Sequence, residues 1–364
     1  MTRQPLNAET PDAPAKVVVL VVSYNGTGYL GDCLSSVLVS ADPGVHTRVL
    51  VVDNGSNDAT SRYVAGRFPQ VDLIRIEPNR GFAGGNNAGW DHVRKHWPDT
   101  EFLVLLNQDT IVQSGWLAAM VAMFRTEPSA GAVQPKLMMH PATDRFNSAG
   151  NASHFLGFGF VGHCGQTDRG QFDTPRPIGS ASGAAVMLRC DLLARTGLFE
   201  PTMFMYLEDA ELNWRLRQLG TEPYLAPGAT VLHKYKFQSN FRYYFHLEKN
   251  RWWMLLAHYR LPTLLLLAPA LALMEAGQFA FAASHGLAGE KLRSWRWLLR
   301  PASRRRIARA RRRVQKTRLV SDRTLTRRFC GTIDFPEMNS PLLRRVANPL
   351  LAAYWAVARR LIFW

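Results

Sequence analysis

Several features are scarce in this 364-residue sequence, and each scarcity excludes a class of protein. Its four cysteines (Cys33, Cys164, Cys190 and Cys330) show neither C-x-x-C spacing nor a metal-ligand rhythm. That pattern excludes a disulfide framework and predicts reduced thiols in a cytosolic setting. A signal-peptide core is also missing: the first fifteen residues are polar and Pro-containing, and VVVLVV (17–22) behind them is too short and too β-branched. The sequons at Asn25, Asn54 and Asn151 are then expected to carry no glycan. Acid is absent from residues 291–318, which hold 13 of the 44 Lys and Arg; the remainder carries 31 basic against 28 acidic residues. The body is near neutral, and the basicity belongs to a C-terminal appendage. No internal repeat is present.

With 47% hydrophobic and 20% charged residues, the chain is long enough to bury a large core. From residue 16 to 135, β-branched runs alternate with helical patterns. KVVVLVV is followed by a helix with Leu30, Cys33, Leu34, Val37 and Leu38 on one face, and TRVLVV by a helix from about Asp58. VDLIRI precedes a helix from about Gly84, and EFLVLL a helix from Ser114. This alternation predicts an α/β fold with a parallel sheet covered on both faces, whose ligands lie beyond the carboxyl ends of the strands. Those ends read SYNG (23–26), DNGS (53–56), NRGFAGGNNAGW (79–90) and NQDT (107–110). Residues 136–182 read as loops and irregular strands, ASGAAVMLR (181–189) as a strand, and 205–220 as a helix stopped by Gly220. Helical, aromatic residues at 241–260 precede an apolar segment at 261–283, the basic run, and an amphipathic helix at 341–364.

The glycine-rich stretch after VDLIRI invites comparison with a phosphate loop. The first strand-helix turn, however, lacks G-x-G-x-x-G, and no Lys follows any glycine as G-x-x-x-x-G-K-[ST] requires. Another group must therefore handle any diphosphate. Asp109 can aim oxygen at Mg²⁺ or Mn²⁺ from a strand end, or, with Asn107, simply form a turn capping the next helix. Glu208 and Asp209 either cap a helix or poise a general base, and Glu211 to Arg215 is an i,i+4 pair. His233 is structural or completes a metal site begun by Asp109.

Taken in order, VVSYNG, VVDNGS, NRGFAGGNNAG, LLNQDT, SGAAVMLR, FMYLEDAELNWRLRQLG and VLHKYKFQS resemble glycosyltransferase family 2, especially its bacterial rhamnosyltransferase-like branch, over residues 16–255. The resemblance implies a GT-A fold, a dTDP- or UDP-sugar donor (rhamnose as first choice), a divalent metal, and inversion at the anomeric carbon. It places Tyr24 and Asn25 in the nucleotide pocket and Asp53 on the base or ribose. Asn79, Gly81 and Asn86 then lie along the nucleotide-sugar cleft, the glycines admitting the donor and the asparagines bonding it. Asn107-x-Asp109 takes the D-x-D position, with Asn for its first Asp, so that metal affinity leans on Asp109 and His233. Asp209 matches the catalytic base, Glu208 orients the acceptor or tunes the base, and Gly183-Ala184 matches a strand edge facing donor and acceptor.

Three regions are thus expected: a disordered 1–15, a catalytic 16–255, and a helical, basic 256–364. Residues 261–283 approach the roughly 20 apolar residues of a bilayer span, but two prolines, Glu275 and Gln278 favour lying on the membrane over crossing it. The arginine-rich run then meets anionic lipid rather than nucleic acid, at the cytoplasmic face of the inner membrane. The expected function is transfer of a sugar to a lipid-linked or polymeric cell-envelope glycan. Its alternatives are a processive synthase, disfavoured by the lack of Q-x-x-R-W, and a silent glycan- or nucleotide-binding scaffold.

Overall fold

The β-branched run behind residue 15 forms the spine of the molecule. A computed structural model describes residues 13–234, 243–334 and 341–364, so most of the N-terminal stretch expected to be disordered lies outside the described residues. In chain order the elements are β1 (Ala15–Ser23), α1 (Leu30–Val39), β2 (Val45–Asp53), α2 (Thr60–Arg67), β3 (Asp72–Arg75), α3 (Gly81–His96), β4 (Phe102–Asn107), β5 (Thr110–Val112) and α4 (Trp116–Thr126). Then come β6 (Ala130–Met139), β7 (Phe146–Ser148), β8 (Ala152–Ser153), β9 (Gly159–Phe160), β10 (Arg176–Pro177), β11 (Ala185–Arg189), α5 (Cys190–Thr196), α6 (Glu208–Gln218) and β12 (Glu222–His233). The C-terminal part is helical: α7 (Tyr244–His258), α8 (Leu261–Ser284), α9 (Ala288–Leu299), α10 (Pro301–Thr317), α11 (Asp322–Leu325) and α12 (Asn348–Leu361).

The main sheet runs β10-β12-β6-β11-β4-β1-β2-β3. β1 to β4 pair in parallel as expected, and α3 starts three residues before the expected Gly84. The sheet as a whole is mixed: beyond the parallel part expected of residues 16–135, β11 is antiparallel to both β4 and β6. The reason is chain routing. β6 ends at the carboxyl edge of the sheet, residues 140–184 run back along β6 and β12 through β7 and β10 and then return, and β11 starts from the carboxyl edge in reverse. Its first residues, rather than its last, therefore reach the ligand-binding edge.

The expected boundary at 255 falls inside α7 and marks no separate core. Trp253, Met254 and Leu255 share one buried cluster with Leu212 and Leu216 of α6 and with Leu351 and Trp355 of α12. Charge completes the join. Glu211 on α6 receives hydrogen bonds from Arg215 Nε at 3.0 Å and Nη2 at 2.6 Å and from His258 Nε2 of α7 at 2.9 Å, all out of solvent. Burial by itself raises the Glu211 pKa, but the Arg215 charge and the His258 bond outweigh it and bring it to about 2. Its folded pKa thus lies below the ordinary value of 4.5, so its stabilisation is present above pH 4.5 and lost as pH falls through about 2. Glu211→Gln leaves the Arg215 charge buried without its partner and should destabilise the fold by about 3–5 kcal/mol at neutral pH. Denaturant unfolding at a series of pH values should show the gap to the parent closing between pH 4.5 and 2.

Candidate active site

β1 and β2 end side by side, with Ser23 opposite Asp53. Asn25 adopts a left-handed φ of 51°, which asparagine tolerates. Its N–H donates to Ser56 Oγ at 2.9 Å and its Oδ1 accepts from Asn57 N at 2.9 Å, so Asn25 stitches the SYNG and DNGS loops together. Between them opens a cleft of about 600 Å³ lined by Tyr24, Gly55, Asn57, Glu77, Pro78 and Asn79. Tyr24 is 42% exposed and offers a ring face there. Asp53 is 0% exposed. Its carboxylate accepts from Ser56 N at 2.9 Å, from Ser61 Oγ, and from Arg75 Nη1 at 2.9 Å. Burial raises its pKa, and the Ser56 and Ser61 bonds more than reverse that. Asp53, placed on the base or ribose by the resemblance, thus lies beneath the part-exposed Arg75 side chain at the edge of the cleft.

The stretch from Asn79 to Asn86 packs closely against its neighbours. Gly81 has φ 70°, and a Cβ there would overlap the carbonyl oxygen and ring of Phe204; one at Gly85 would strike Val22, and one at Gly89 would strike Leu20. These glycines let α3 sit directly on β1 and against Phe204. The asparagines are similarly engaged. Asn86 is buried and its Nδ2 donates to Phe82 O at 2.9 Å, while Asn79 Oδ1 accepts from Gly81 N at 2.7 Å. Asn79 alone of the three lines the cleft.

β4 ends at Asn107, whose N–H donates to Ala184 O at 2.9 Å. Asp109 follows, one-fifth exposed, with His233 Nε2 at 3.3 Å from its Oδ1. Lys234 N donates to Asp109 O at 2.9 Å, so the strand pair β5–β12 delivers both residues to one point. His233 Nδ1 lies 3.0 Å from Asn147 Oδ1. That contact holds the ring so that Nε2 faces Asp109. A carboxylate and an imidazole nitrogen converging in this way fit a divalent cation that completes its shell with phosphate oxygens and water. Among the described residues no cluster of three or more His, Cys, Asp or Glu offers an alternative.

The reversed β11 brings Gly183 and Ala184 to this edge. Ala184 O holds Asn107, and the neighbouring Gly183 N–H donates to Asp209 Oδ2 at 3.0 Å. Asp209 Oδ1 accepts from Ala210 N at 2.7 Å at the start of α6. Burial raises the Asp209 pKa despite these two bonds. Glu208 is 7% exposed, and its Oε2 has no hydrogen-bond partner among the described residues. Burial, and then the Asp209 charge, push it up to about 8, so at neutral pH Glu208 is mostly a neutral acid. Asp109, His233, Asp209 and Glu208 thus assemble around the ends of β4, β11 and β12, beside the cleft at β1 and β2.

The family described as Glycosyltransferase like family 2 matches residues 14–254, about two thirds of the chain. The chain belongs to glycosyltransferase family 2. It is 28% identical over 235 residues to N-acetylglucosaminyl-diphospho-decaprenol L-rhamnosyltransferase of Mycobacterium tuberculosis, covering 59% of this chain and 75% of that one. It is 24% identical over 218 residues to poly-beta-1,6-N-acetyl-D-glucosamine synthase of Staphylococcus epidermidis, 58% of this chain and 48% of that one. Among solved structures, GalNAc-T7 with UDP, GalNAc and Mn²⁺ aligns with a TM-score of 0.54 at 16% identity. That alignment covers 68% of this chain and 48% of GalNAc-T7, so the likeness spans about half of the longer protein. TarS 1–349 of S. aureus in complex with UDP aligns with a TM-score of 0.51 at 14% identity, over 95% of this chain and 88% of that one. Both likenesses show the GT-A fold.

In this family 2 enzyme several residues given no site role in the sequence reading do structural service at the site. Asn54 donates to Gly81 O at 2.9 Å and accepts from Arg80 N at 2.9 Å, pinning the turn into α3. Asn87 forms a two-way bridge to Phe199, and Asn213 does the same with Ala181. The excess of Asn at strand ends was the available signal; which backbone each amide meets depends on chain crossings the sequence does not display.

Glu208 yields a test of its own. Its folded pKa lies above 4.5, so its contribution to stability is full below pH 4.5 and is lost as pH rises toward 8. Glu208→Gln keeps the neutral shape and escapes that loss. Thermal unfolding across pH 4 to 9 should find the variant at least as stable as the parent, with the gap widening up to about pH 8; a variant less stable throughout would contradict the buried neutral acid.

Proposed function

We propose that the chain is an inverting glycosyltransferase that moves a sugar from a dTDP- or UDP-sugar to a hydroxyl of a lipid-linked or polymeric cell-envelope glycan. The observation that carries this is the Asp209 carboxylate, fixed by the Gly183 N–H one residue from the Ala184–Asn107 bond and thus next to the Asp109 loop. Asp209 takes the proton from the acceptor hydroxyl as that oxygen attacks the anomeric carbon on the face opposite the leaving diphosphate. The burial that raises its pKa brings it closer to that of a useful base at neutral pH. Glu208, neutral beside it, adds no second negative charge. Tyr24 and Asn79 border the nucleotide. A divalent cation at Asp109 and His233 would supply positive charge to the departing diphosphate. Rhamnose is the first donor choice, supported by the relative from M. tuberculosis named as an L-rhamnosyltransferase.

The test separates binding from chemistry. Asp209→Asn should keep nucleoside-diphosphate affinity, measured by calorimetry, while turnover falls by about 10² or more. Asp109→Ala should lose the Mn²⁺-dependent part of that affinity. An active Asp209→Asn enzyme would sink the assignment of the base.

The acceptor reading extends to the membrane. α8 is long and apolar enough to cross a bilayer, with 17% of its most apolar stretch buried. Its polar groups, however, turn inward: Glu275 meets Arg251, Lys291 and Trp295, and Gln278 meets Arg251 and Glu248. Leu265 and Leu273 point outward at 66% and 68% exposure. α12 lies alongside through bonds from Tyr354 Oη to Leu266 O and from Trp364 Nε1 to Thr263 Oγ1, and it exposes Leu350, Val357 and Leu361 beside Arg359 and Arg360. An apolar face flanked by cations fits the surface of an anionic cytoplasmic leaflet, with α8 lying in its plane. The full-length protein should sediment with phosphatidylglycerol vesicles at low salt but not with duplex DNA. Replacing Leu265, Leu273 and Leu350 together by Ser should weaken vesicle binding by on the order of 10². Indifference to anionic vesicles would leave the outward leucines without this partner.

A further inference from the structure

The segment that delivers Asp209 is conformationally unusual. Tyr206 and Leu207 are consecutive non-glycine residues at φ 68° and 65°, immediately before α6 opens with Glu208 and Asp209. Side chains at such angles crowd the backbone, so two in succession persist only where the surroundings hold them. The hold comes from α7. Asn250 is wholly buried, and its Nδ2 donates to Met205 O at 3.0 Å and Tyr206 O at 2.7 Å. The adjacent Lys249 donates through Nζ to Thr202 O, so α7 grips the approach at two points.

We infer that Asn250 is a positioning residue for the transfer reaction: by clamping the Met205 and Tyr206 carbonyls it sustains the left-handed turn that holds the Asp209 carboxylate against the Gly183 N–H. The inference rests on Asp209 as the base. The geometry is demanding in both directions. A neutral amide can give both of its N–H groups to two converging carbonyls, whereas a carboxylate of the same shape would oppose them. With the clamp removed, both carbonyls are left without these donors in a buried place, and the turn can exchange its left-handed pair for a relaxed one. Asp209 follows Leu207 by two residues, so a rotation there translates directly into displacement of the carboxylate. Small displacements of a catalytic group carry large kinetic penalties.

The experiment has one readout independent of any substrate. Amide exchange on the full-length protein reports the Gly183 N–H, which is protected by Asp209. In Asn250→Ala its exchange should accelerate at least about tenfold, while Val186 to Leu188 in β11 stay protected. Met254→Ala, a buried truncation on the same helix, should lower thermal stability and leave Gly183 protected. The second readout is dTDP release from dTDP-rhamnose with an N-acetylglucosaminyl diphospho-lipid acceptor. Asn250→Ala should lower kcat at least about tenfold with nucleotide affinity held, and should add little in the Asp209→Asn background, because the two act on one step. Unchanged Gly183 protection in Asn250→Ala, or an equal loss in Met254→Ala, overturns the inference. A fully active Asp209→Asn enzyme overturns the base assignment instead, and leaves the exchange result to decide the clamp.

Discussion

The Glu211 carboxylate, shielded from solvent on the inner side of α6, is the point on which the geometry of the site depends. Arg215 reaches it from one helical turn away and spends its remaining donors on the carbonyls of Thr196, Gly197 and Leu198. His258 reaches it from α7. Burial holds His258 below its ordinary pKa although its bond to Glu211 and the Glu211 charge pull the other way, and Arg215 supplies the full positive charge beside the carboxylate. Three pieces of chain that share no sequence proximity are thereby locked around the helix that begins with Glu208 and Asp209. Such a triad is stringent because a charge without its partner at this depth is strongly destabilising.

The site itself relies on neutral groups to a degree that its glycine-rich stretch conceals. Asn54, Asn87 and Asn213 each satisfy backbone groups at crossings where no strand ladder can reach, and Asn25 ties two loops in the same manner. An amide can donate and accept at once without carrying charge, which suits a place where carboxylates must keep their own charge for chemistry. The two carboxylates at the head of α6 divide accordingly: Asp209 has two backbone donors, whereas one oxygen of Glu208 has no hydrogen-bond partner among the described residues. Their unequal environments separate one group able to ionise from one kept protonated.

The C-terminal helices show the same economy with charge. Glu248, Arg251, Glu275 and Lys291 neutralise one another between α7, α8 and α9, with Gln278 filling the remaining donor and acceptor positions. α8 therefore turns Glu275 and Gln278 toward its neighbours on the same side as Leu267, Ala270 and Leu271, and leaves a further apolar stripe outward. α10 has the usual polarity, with Ile307, Ala310 and Val314 inside and its arginines mostly outside. The basic run is thus a solvated helix face, and the outward leucines belong to its neighbours.

The sequence by itself determined the α/β alternation, the strand ends that carry the chemistry, the near-neutral body with its basic appendage, and, through seven motifs in order, the family. These are local properties: periodicity of two or 3.6, turn residues, and short spacings survive in a linear reading. What it could not determine was direction and contact. β11 reads as a strand in either orientation, and only its pairing with β4 and β6 shows it reversed. Gly81, Gly85 and Gly89 look like room for a ligand until Phe204, Val22 and Leu20 are seen to fill that room. That Asp53 is held by Ser61 and Arg75 is likewise invisible in the sequence. Asn250 shows no motif at all, because its meaning lies in two carbonyls more than forty residues away, brought to it by the packing of α7 on α6. Long-range packing decides such contacts, and no local pattern encodes it.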